Sequence, residues 1–231
     1  MQIETFDDPA EVARRTAEII AAAAAEGTRR RGRSLLAFSG GSTPAAMLGE
    51  LGALPLDWST VHVLQVDERV APDGHPDRNW TMVRERLLAA VDVPASQQHP
   101  MPVTEDDLVA AAARYARVLT TVAGVPPAID VVHLGVGGDG HTASLVPGDP
   151  VLDLRQQWVG VTGAYQGRRR MTLTYPAINA ARLLVWQVAG ADKADALRAA
   201  LQGSGVPASR VRRERVHVVA TSDAAAGLDL G

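Results

Sequence analysis

Short apolar runs alternate along the chain with longer segments in which apolar residues recur every three or four positions. The apolar runs predict buried strands, and the longer segments predict amphipathic helices between them. Helices packed on both faces of a parallel sheet produce such an alternation. The pattern therefore predicts an α/β fold with a mostly parallel, doubly wound sheet. The predicted strands cover residues 34–38, 61–66, 129–134, 157–162, 170–174, 182–189 and 215–219.

Capping residues mark where several helices begin and end. Asp8 and Pro9 predict the N-cap and first residue of the first helix, and Gly27 predicts its end. The basic residues 29–33 are then expected to form a solvated connection. Further helices are predicted from about Ala45, over residues 80–90, after the capping-box-like Thr104 and Asp107, and near residues 192–201.

The composition and charge of the chain exclude several classes of protein. The chain has 231 residues, which suits one domain spanning residues 1–231. A net charge of -3 argues against binding to nucleic acid. No run of about 18 apolar residues predicts a membrane span, and the first residues show no basic leader followed by an apolar segment. With no cysteine in the chain, these features predict a cytoplasmic protein without membrane contact.

The first loop of interest, Ser39 to Pro44, lies between a predicted strand and a helix. Its sequence, Ser-Gly-Gly-Ser-Thr-Pro, offers hydroxyl groups and two glycines that let the backbone approach a ligand closely. The N–H groups and the dipole at the start of the helix favour an anion such as phosphate. An ordinary turn with a helix cap explains the same motif equally well. The lysine of a nucleotide-binding P-loop is absent.

A second loop, Asp67-Glu68-Arg69, follows the strand at residues 61–66. Two acids and a base at the end of a strand can orient hydroxyl groups and hold an anion. A solvated cluster of salt bridges is the alternative interpretation.

The third loop contains Gly-x-Gly-x-x-Gly at Gly135, Gly137 and Gly140, after a predicted strand. A dinucleotide site would need a helix after the third glycine, and Pro147 and Pro150 leave little room for one. It would also need an acid at the end of the next strand, and none is found there. We therefore do not interpret this motif as a dinucleotide fingerprint.

The same loop contains Asp139-Gly140-His141. An imidazole titrates near pH 6.5, which suits a general base, and an acid nearby can fix its tautomer. His62, His133 and His217 lie in predicted strands, and His75 and His99 lie in predicted loops without such an arrangement. A histidine that merely starts a helix is the alternative. A metal site is disfavoured because the chain has neither His-x-x-x-His nor cysteine.

Taken together, these loops resemble the 6-phosphogluconolactonase family. The resemblance covers residues 36 to 195, and its motifs occur in the order of the family. It implies a Rossmann-like fold shared with glucosamine-6-phosphate deaminases and ribose-5-phosphate isomerases. The motifs are Ser-Gly-Gly-Ser-Thr-Pro at 39–44, Asp-Glu-Arg at 67–69 with Asn79, Gly-Val-Gly-Gly-Asp-Gly-His-Thr-Ala-Ser-Leu at 135–145, Arg-Met-Thr-Leu-Thr at 170–174 and Gly-Ala-Asp-Lys-Ala at 190–194.

The resemblance also implies a reaction and roles for residues. His141 would activate water against the carbonyl of a sugar-phosphate lactone, and Asp139 would orient His141. Asp67 and Asn79 would position sugar hydroxyls or loops of the site. The phosphate would be held by Arg69, Arg170 and Lys193 with Ser39, Gly40, Gly41, Ser42 and Thr43. No metal or cofactor is implied, and the oligomeric state expected is a monomer or a weak homodimer.

Three points stay open at this stage. Residues 166–170 read Gln-Gly-Arg-Arg-Arg, where the family often has prolines. The sequence therefore does not identify which arginine contacts the phosphate. Arg168 and Arg169 are expected to be solvated. Glucosamine-6-phosphate deaminases usually carry an acidic segment soon after Asp-Gly-His, which residues 142–147 lack. A non-catalytic sugar-phosphate sensor is a third alternative.

Overall fold

The computed structural model describes residues 1–228, and a mostly parallel sheet of seven strands is its centre. Ten strands occur within these residues: β1 (Gln2–Phe6), β2 (Ser34–Phe38), β3 (Val61–Gln65), β4 (Asp67–Arg69), β5 (Gln98–His99), β6 (Val131–Leu134), β7 (Val159–Val161), β8 (Arg170–Leu173), β9 (Leu183–Val188) and β10 (Val216–Thr221). The large sheet has the order β1-β10-β9-β6-β2-β3-β5, and each neighbouring pair in it is parallel. The predicted α/β class and parallel sheet are confirmed.

A second, antiparallel sheet was not expected from the sequence. It has the order β4-β8-β7, and it contains the strands predicted at residues 157–162 and 170–174. Gln166 and Gly167 form a two-residue turn before β8, with left-handed φ values of 51° and 80°. The whole connection from β7 to β8 has eight residues, 162–169, and parallel strands need a crossover of a dozen or more, so these neighbours are antiparallel.

Six α-helices occur in the described part of the chain: α1 (Pro9–Arg31), α2 (Ser42–Ala53), α3 (Asn79–Val83), α4 (Leu108–Ala123), α5 (Tyr175–Ala180) and α6 (Ala194–Gln202). The predicted Asp8 cap is confirmed, since its side chain accepts a hydrogen bond from the N–H of Ala10 at 2.8 Å. Helix α4 is capped by Asp107 and begins after it, and α2 begins at Ser42 rather than at Ala45. A π-helical turn at Arg84–Leu88 extends α3.

The predicted end of α1 at Gly27 is wrong. The helix continues to Arg31 and ends at Gly32, which has a left-handed φ of 72°. Residue 27 is glycine because the helix passes close to the start of β2 and to Asp130. A Cβ there would lie 3.1 Å from Cβ of Ser34 and 3.2 Å from a carboxylate oxygen of Asp130. Three of the basic residues predicted to be a connection are therefore helical.

Apolar side chains cover both faces of the large sheet, as a doubly wound fold requires. Residues of α1, α2 and α3 pack on one face, with Ile20, Leu48 and Trp80 among them. Residues of α4, α5 and α6 pack on the other face, with Tyr115 and Leu197 among them. Within residues 1–228, no helix has the length and apolar character needed to cross a membrane.

Candidate active site

A cavity of about 280 Å³ opens at the carboxyl ends of the neighbouring strands β2 and β6. Ligands of open α/β sheets bind at this edge, where the loops after the strands face each other. The cavity brings together all of the predicted site residues except Asp139, which lies behind His141. Those lining it are Ser39, Gly40, Gly41, Ser42, Thr43, Asp67, Arg69, Asn79, His141, Arg170 and Lys193.

The loop before α2 presents the start of that helix to the cavity. Gly41 is the N-cap, with φ 121°, and no side chain caps the helix. Strands β6 and β9 support the loop from behind, because Ser39 Oγ donates to the carbonyl of His133 at 2.9 Å and Gln187 Nε2 donates to the carbonyl of Thr43 at 3.4 Å. Uncapped N–H groups and the positive end of the helix dipole form an environment suited to an anion. The geometry favours an anion site over the alternative of an ordinary capped turn.

The position of Asn79 explains a glycine of this loop. A Cβ on Gly40 would lie 1.7 Å from Oδ1 of Asn79. The Asn79 side-chain amide donates to the carbonyl of Asp67 at 2.9 Å and contacts its carboxylate at 3.3 Å. Asn79 therefore packs against the first loop at Gly40 and hydrogen-bonds to the second loop at Asp67.

Asp139 and His141 form a hydrogen-bonded pair at the edge of the cavity. Asp139 Oδ1 lies 2.6 Å from His141 Nδ1, and it also accepts the backbone N–H of His141 at 3.1 Å. Burial raises the pKa of Asp139, but the hydrogen bonds from His141 and Tyr165 outweigh it and the pKa lies below its ordinary value. The carboxylate is therefore charged at neutral pH. A charged carboxylate beside Nδ1 favours the tautomer with the proton on Nδ1, in which Nε2 is the nitrogen free to accept one.

Gly137 leaves room for this imidazole. A Cβ at this position would lie 2.1 Å from both Cε1 and Nδ1 of His141, well inside van der Waals contact. After Gly140 the chain makes turns, and the next regular element is a short 3-10 helix at Pro150–Asp153. The prediction that this loop is not a dinucleotide fingerprint is supported, since no α-helix begins at the third glycine.

Asp67 lies in a buried polar contact with the glycine-rich loop. Its side chain is almost fully buried, and Ser144 Oγ donates to its Oδ2 at 2.6 Å. Burial raises the pKa of Asp67, against the opposing effects of Ser144, Arg170 and Arg69. Ser144 is itself fully buried, so its hydroxyl is held by Asp67 and does not face the cavity.

Glu68 has a structural position and does not contact the cavity. It is fully buried, and its carboxylate accepts the N–H groups of Arg69, Asn79 and Trp80 at 2.8, 2.8 and 2.9 Å. Arg78 forms a buried ion pair with it at 2.9 Å. The alternative interpretation of Asp67-Glu68-Arg69 as a solvated salt-bridge cluster is wrong, because both acids are buried.

Arg69 and Arg170 lie opposite each other on β4 and β8. Like charges in directly opposed positions of an antiparallel pair are destabilising unless an anion compensates them. Arg170 is only 4% exposed, and its Nε has no hydrogen-bond partner within residues 1–228. Burial lowers the pKa of Arg170, with a smaller contribution from Arg69 in the same direction. The pair therefore forms a cationic wall with unused hydrogen-bonding capacity.

Lys193 completes the cationic wall from the start of α6. Its ammonium group lies 2.6 Å from Asp192 Oδ2 and close to Gly138 of the glycine-rich loop. Lys193 itself occupies the N-cap position of α6. Arg168 instead pairs with Asp77 at 2.7 Å, and the guanidinium of Arg169 contacts the carbonyl of Thr162 at 3.4 Å. Neither of these two arginines lines the cavity.

Tyr165 is a site residue that the sequence analysis missed. Its hydroxyl donates to Asp139 Oδ2 at 3.0 Å, and its ring meets the His141 ring edge-on at 5.5 Å. Arg170 stacks on the same ring, 4.9 Å from its centre. The sequence offered one signal for it: an aromatic residue in a polar loop, shortly before the family motif Arg-Met-Thr-Leu-Thr at 170–174.

The other histidines lie away from the cavity. His133 is fully buried and contacts Gln187 at 3.0 Å. His62 stacks on His99, which belongs to β5 and not to a loop. His217 pairs with Glu4 at 2.7 Å. Across residues 1–228, no group of three or more His, Cys, Asp or Glu side chains is arranged to hold a metal ion.

Comparison with known proteins agrees with this geometry. The family model described as glucosamine-6-phosphate isomerases/6-phosphogluconolactonase matches residues 7–220. A 6-phosphogluconolactonase of Nostoc sp. is 36% identical over 99% of this chain and 98% of the relative. One of Mycobacterium tuberculosis is 37% identical over 98% of each chain. A crystal structure of 6-phosphogluconolactonase from Leishmania guyanensis superposes with a TM-score of 0.87 at 25% identity, covering 99% of this chain and 98% of that one.

Proposed function

Because the chain belongs to the family of glucosamine-6-phosphate isomerases and 6-phosphogluconolactonases, we propose that it hydrolyses 6-phospho-D-glucono-1,5-lactone to 6-phospho-D-gluconate. This reaction is a step of the oxidative pentose phosphate pathway. The observation that carries the proposal is the Asp139–His141 pair, at 2.6 Å, beside a cavity walled by Arg69, Arg170 and Lys193. A base and an anion site in one cavity suit a reactive group linked to a phosphate.

In this proposal His141 moves a proton twice. Its Nε2 takes a proton from water as the water oxygen bonds to the lactone carbonyl carbon. The tetrahedral intermediate then collapses, the ring carbon–oxygen bond breaks, and the proton on Nε2 passes to the leaving ring oxygen. Asp139 stabilises the imidazolium formed between the two transfers. General base catalysis of this kind supplies about 10²–10⁴-fold in rate.

The phosphate lies, in this proposal, between the start of α2 and the cationic wall. Arg170 offers a buried guanidinium with an unpartnered Nε, and guanidinium groups bind phosphate through paired N–H donors. Arg69 faces it across the strand pair, and Lys193 approaches from the start of α6. Binding energy from the phosphate would then hold the distant carbonyl against His141. Asp67 and Asn79 would position the loops and sugar hydroxyls between them.

The test is hydrolysis of freshly prepared lactone by the purified protein, coupled to a 6-phosphogluconate dehydrogenase that reports the product. The lactone opens spontaneously, so the blank rate is subtracted. His141→Asn removes the base, and we expect its kcat to fall by about 10²–10⁴-fold while it still binds 6-phosphogluconate. Wild-type protein that leaves the rate at the blank level would refute the function, whereas an unchanged His141→Asn rate would remove His141 from the mechanism.

Glucosamine 6-phosphate serves as the discriminating substrate. Within residues 1–228, Asp139 is the one carboxylate that contacts the His141 side chain, and residues 142–147 contain no acid. We therefore expect no ammonia release from glucosamine 6-phosphate at rates near that of lactone hydrolysis. Product binding without turnover of either compound would instead indicate a sugar-phosphate sensor.

We also propose that residues 1–231 form a single domain that works in the cytoplasm without a metal or cofactor, as a monomer or a weak homodimer, and does not bind nucleic acid or membranes. The net charge of -3 and the absence of cysteine support this environment. Lactonase activity that survives dialysis against a chelator, and sedimentation at the mass of one chain or two, are the expected results.

A further inference from the structure

A tight hairpin carries Tyr165 to the edge of the cavity. The backbone groups of Tyr165 and Arg168 hydrogen-bond to each other in both directions, at 2.9 and 3.2 Å. Between them, Gln166 and Gly167 both have left-handed φ values, as a two-residue hairpin turn requires. Gln166 also accepts a hydrogen bond from Arg170 at 3.1 Å. The hairpin is thus joined to the strand that carries the buried arginine, and the position of Tyr165 is fixed by its own backbone.

The two carboxylate oxygens of Asp139 have different partners. Oδ1 faces His141, through both the ring nitrogen and the backbone N–H. Oδ2 has the hydroxyl of Tyr165 as its hydrogen-bond partner in the described chain, at 3.0 Å. Burial, together with this contact to Asp139, raises the pKa of Tyr165, so its hydroxyl keeps its proton and acts as a donor. That donor holds Oδ2, whereas the two contacts from His141 hold Oδ1, so its loss would leave the carboxylate restrained at one oxygen only.

The Tyr165 ring touches the two halves of the site at once. It meets the His141 ring in an edge-to-face arrangement with the ring centres 5.5 Å apart, and the Arg170 guanidinium lies over it, 4.9 Å from the ring centre. Such a stack holds the planar guanidinium in a fixed orientation without occupying its N–H donors. One side chain therefore contacts the base and a cation of the proposed phosphate site.

We propose that Tyr165 is a positioning residue, whose hydroxyl fixes the rotamer of Asp139 so that His141 keeps its proton on Nδ1, and whose ring orients Arg170. This inference rests on the proposed hydrolase function. The hydroxyl then affects the chemical step, because a base protonated on Nε2 cannot accept a proton from water. The ring affects binding, because Arg170 is a cation of the proposed phosphate site. The two effects can be separated by substitution.

Tyr165→Phe removes the hydroxyl alone. A hydrogen bond to a charged group of this kind corresponds to about tenfold in rate, so we expect kcat to fall by about tenfold with KM changed by less than about twofold. Tyr165→Leu removes the ring as well, and we expect a similar fall in kcat together with a rise in KM of about fivefold or more.

Tyr175→Phe is the matched control. Tyr175 also donates its hydroxyl to an oxygen, the carbonyl of Pro207 at 2.8 Å, and also carries a stacked arginine, Arg210 at 4.5 Å. Among the described residues, its hydroxyl and ring contact neither Asp139 nor His141. Tyr175→Phe is expected to keep wild-type kcat and KM. If it lowered kcat as much as Tyr165→Phe does, the effect would be one on the fold and the proposal would be overturned.

A spectroscopic measurement decides the inference independently of activity. The ¹⁵N chemical shifts of the His141 ring report which nitrogen carries the proton. They are measured on protein with ¹⁵N-labelled histidine rings, at a pH where the imidazole is neutral. We expect Nδ1–H alone in wild type and a mixture with Nε2–H in Tyr165→Phe. An unchanged tautomer in Tyr165→Phe would overturn the proposal whatever happens to the rate. If wild-type protein proved inactive on the lactone, the proposed function would fail, yet the tautomer result would still decide the role of Tyr165.

Discussion

Gly137 allows the position of His141 to be tested with one methyl group. Alanine at this site would place its Cβ 2.1 Å from Cε1 and Nδ1 of His141, and 2.8 Å from Oδ1 of Asp139. The backbone φ of Gly137 is not left-handed, so alanine is permitted there except for this contact. The substitution therefore acts through its contact with the imidazole and the Asp139 carboxylate, and not through an unfavourable backbone φ.

The size of the effect follows from the distances. Ordinary van der Waals contact begins at 3.4 Å, so the ring must withdraw by about 1.3 Å from its present place, or the loop must shift by a similar amount. A misplacement of about 1 Å in a reacting group costs about 10²-fold in rate. We expect Gly137→Ala to lower kcat by about 10²-fold. Affinity for 6-phosphogluconate should change by less than about threefold, since the cationic wall is not touched.

Gly135→Ala is the control for this experiment. Gly135 lies in the same loop and also has no left-handed φ, but a Cβ there would approach nothing closer than the carbonyl oxygen of Gln187, at 3.9 Å. Its kcat should stay within about twofold of wild type. Both variants are assayed by the coupled hydrolysis reaction, with product affinity measured by calorimetry. A Gly137→Ala protein that binds product normally and keeps kcat within threefold of wild type would refute the placement of His141 as the base.

Three further predictions concern affinity and stability. Arg170→Gln should raise KM for the phosphorylated lactone by about 30-fold or more in the coupled assay, whereas Arg168→Gln should leave it nearly unchanged, because Arg168 pairs with Asp77 outside the cavity. Glu68→Gln should lower the free energy of unfolding in urea by about 3 kcal/mol, because buried Arg78 loses its charged partner. Burial lowers the pKa of His133 to about 4, against a weaker opposing effect of Gln187. As the pH falls, His133 therefore binds a proton near pH 6.5 in the unfolded chain but only near pH 4 in the folded protein. The free energy of unfolding should fall by up to about 3 kcal/mol between pH 6.5 and 4, and stay level below pH 4. Urea titrations across this range should show a flatter profile for His133→Gln, and an equally steep profile would contradict the assignment.

The sequence predicted the large sheet and the three loops because each signal was local. Apolar runs such as Ser34–Phe38 are buried on both faces, and glycines and polar residues mark where they end. Strands in a parallel sheet end at a common edge, so loops far apart in the chain were predicted to converge there. The roles of the residues in those loops remain proposals.

What escaped prediction depends on contacts between distant segments. The interior position of Gly27 reflects the close passage of α1 by Ser34, which the local sequence does not reveal. Strands β4 and β5 have three and two residues, too few for a periodic pattern. β1 is an edge strand whose residues are half-buried, so it gives no apolar run. Tyr165 belongs to the site because it hydrogen-bonds to Asp139, which lies 26 positions away in the chain.

The separation of the site between two sheets has a consequence for how such proteins diversify. Asp139, His141 and Lys193 follow strands of the parallel sheet, whereas Arg69 and Arg170 are carried by the small antiparallel one. Insertions or deletions in the β7–β8 hairpin would displace Tyr165, which contacts Asp139 on one side and Arg170 on the other. Relatives that keep the same base should therefore keep the length of this hairpin, and differences in the phosphorylated substrates they accept should arise from other loops of the cavity.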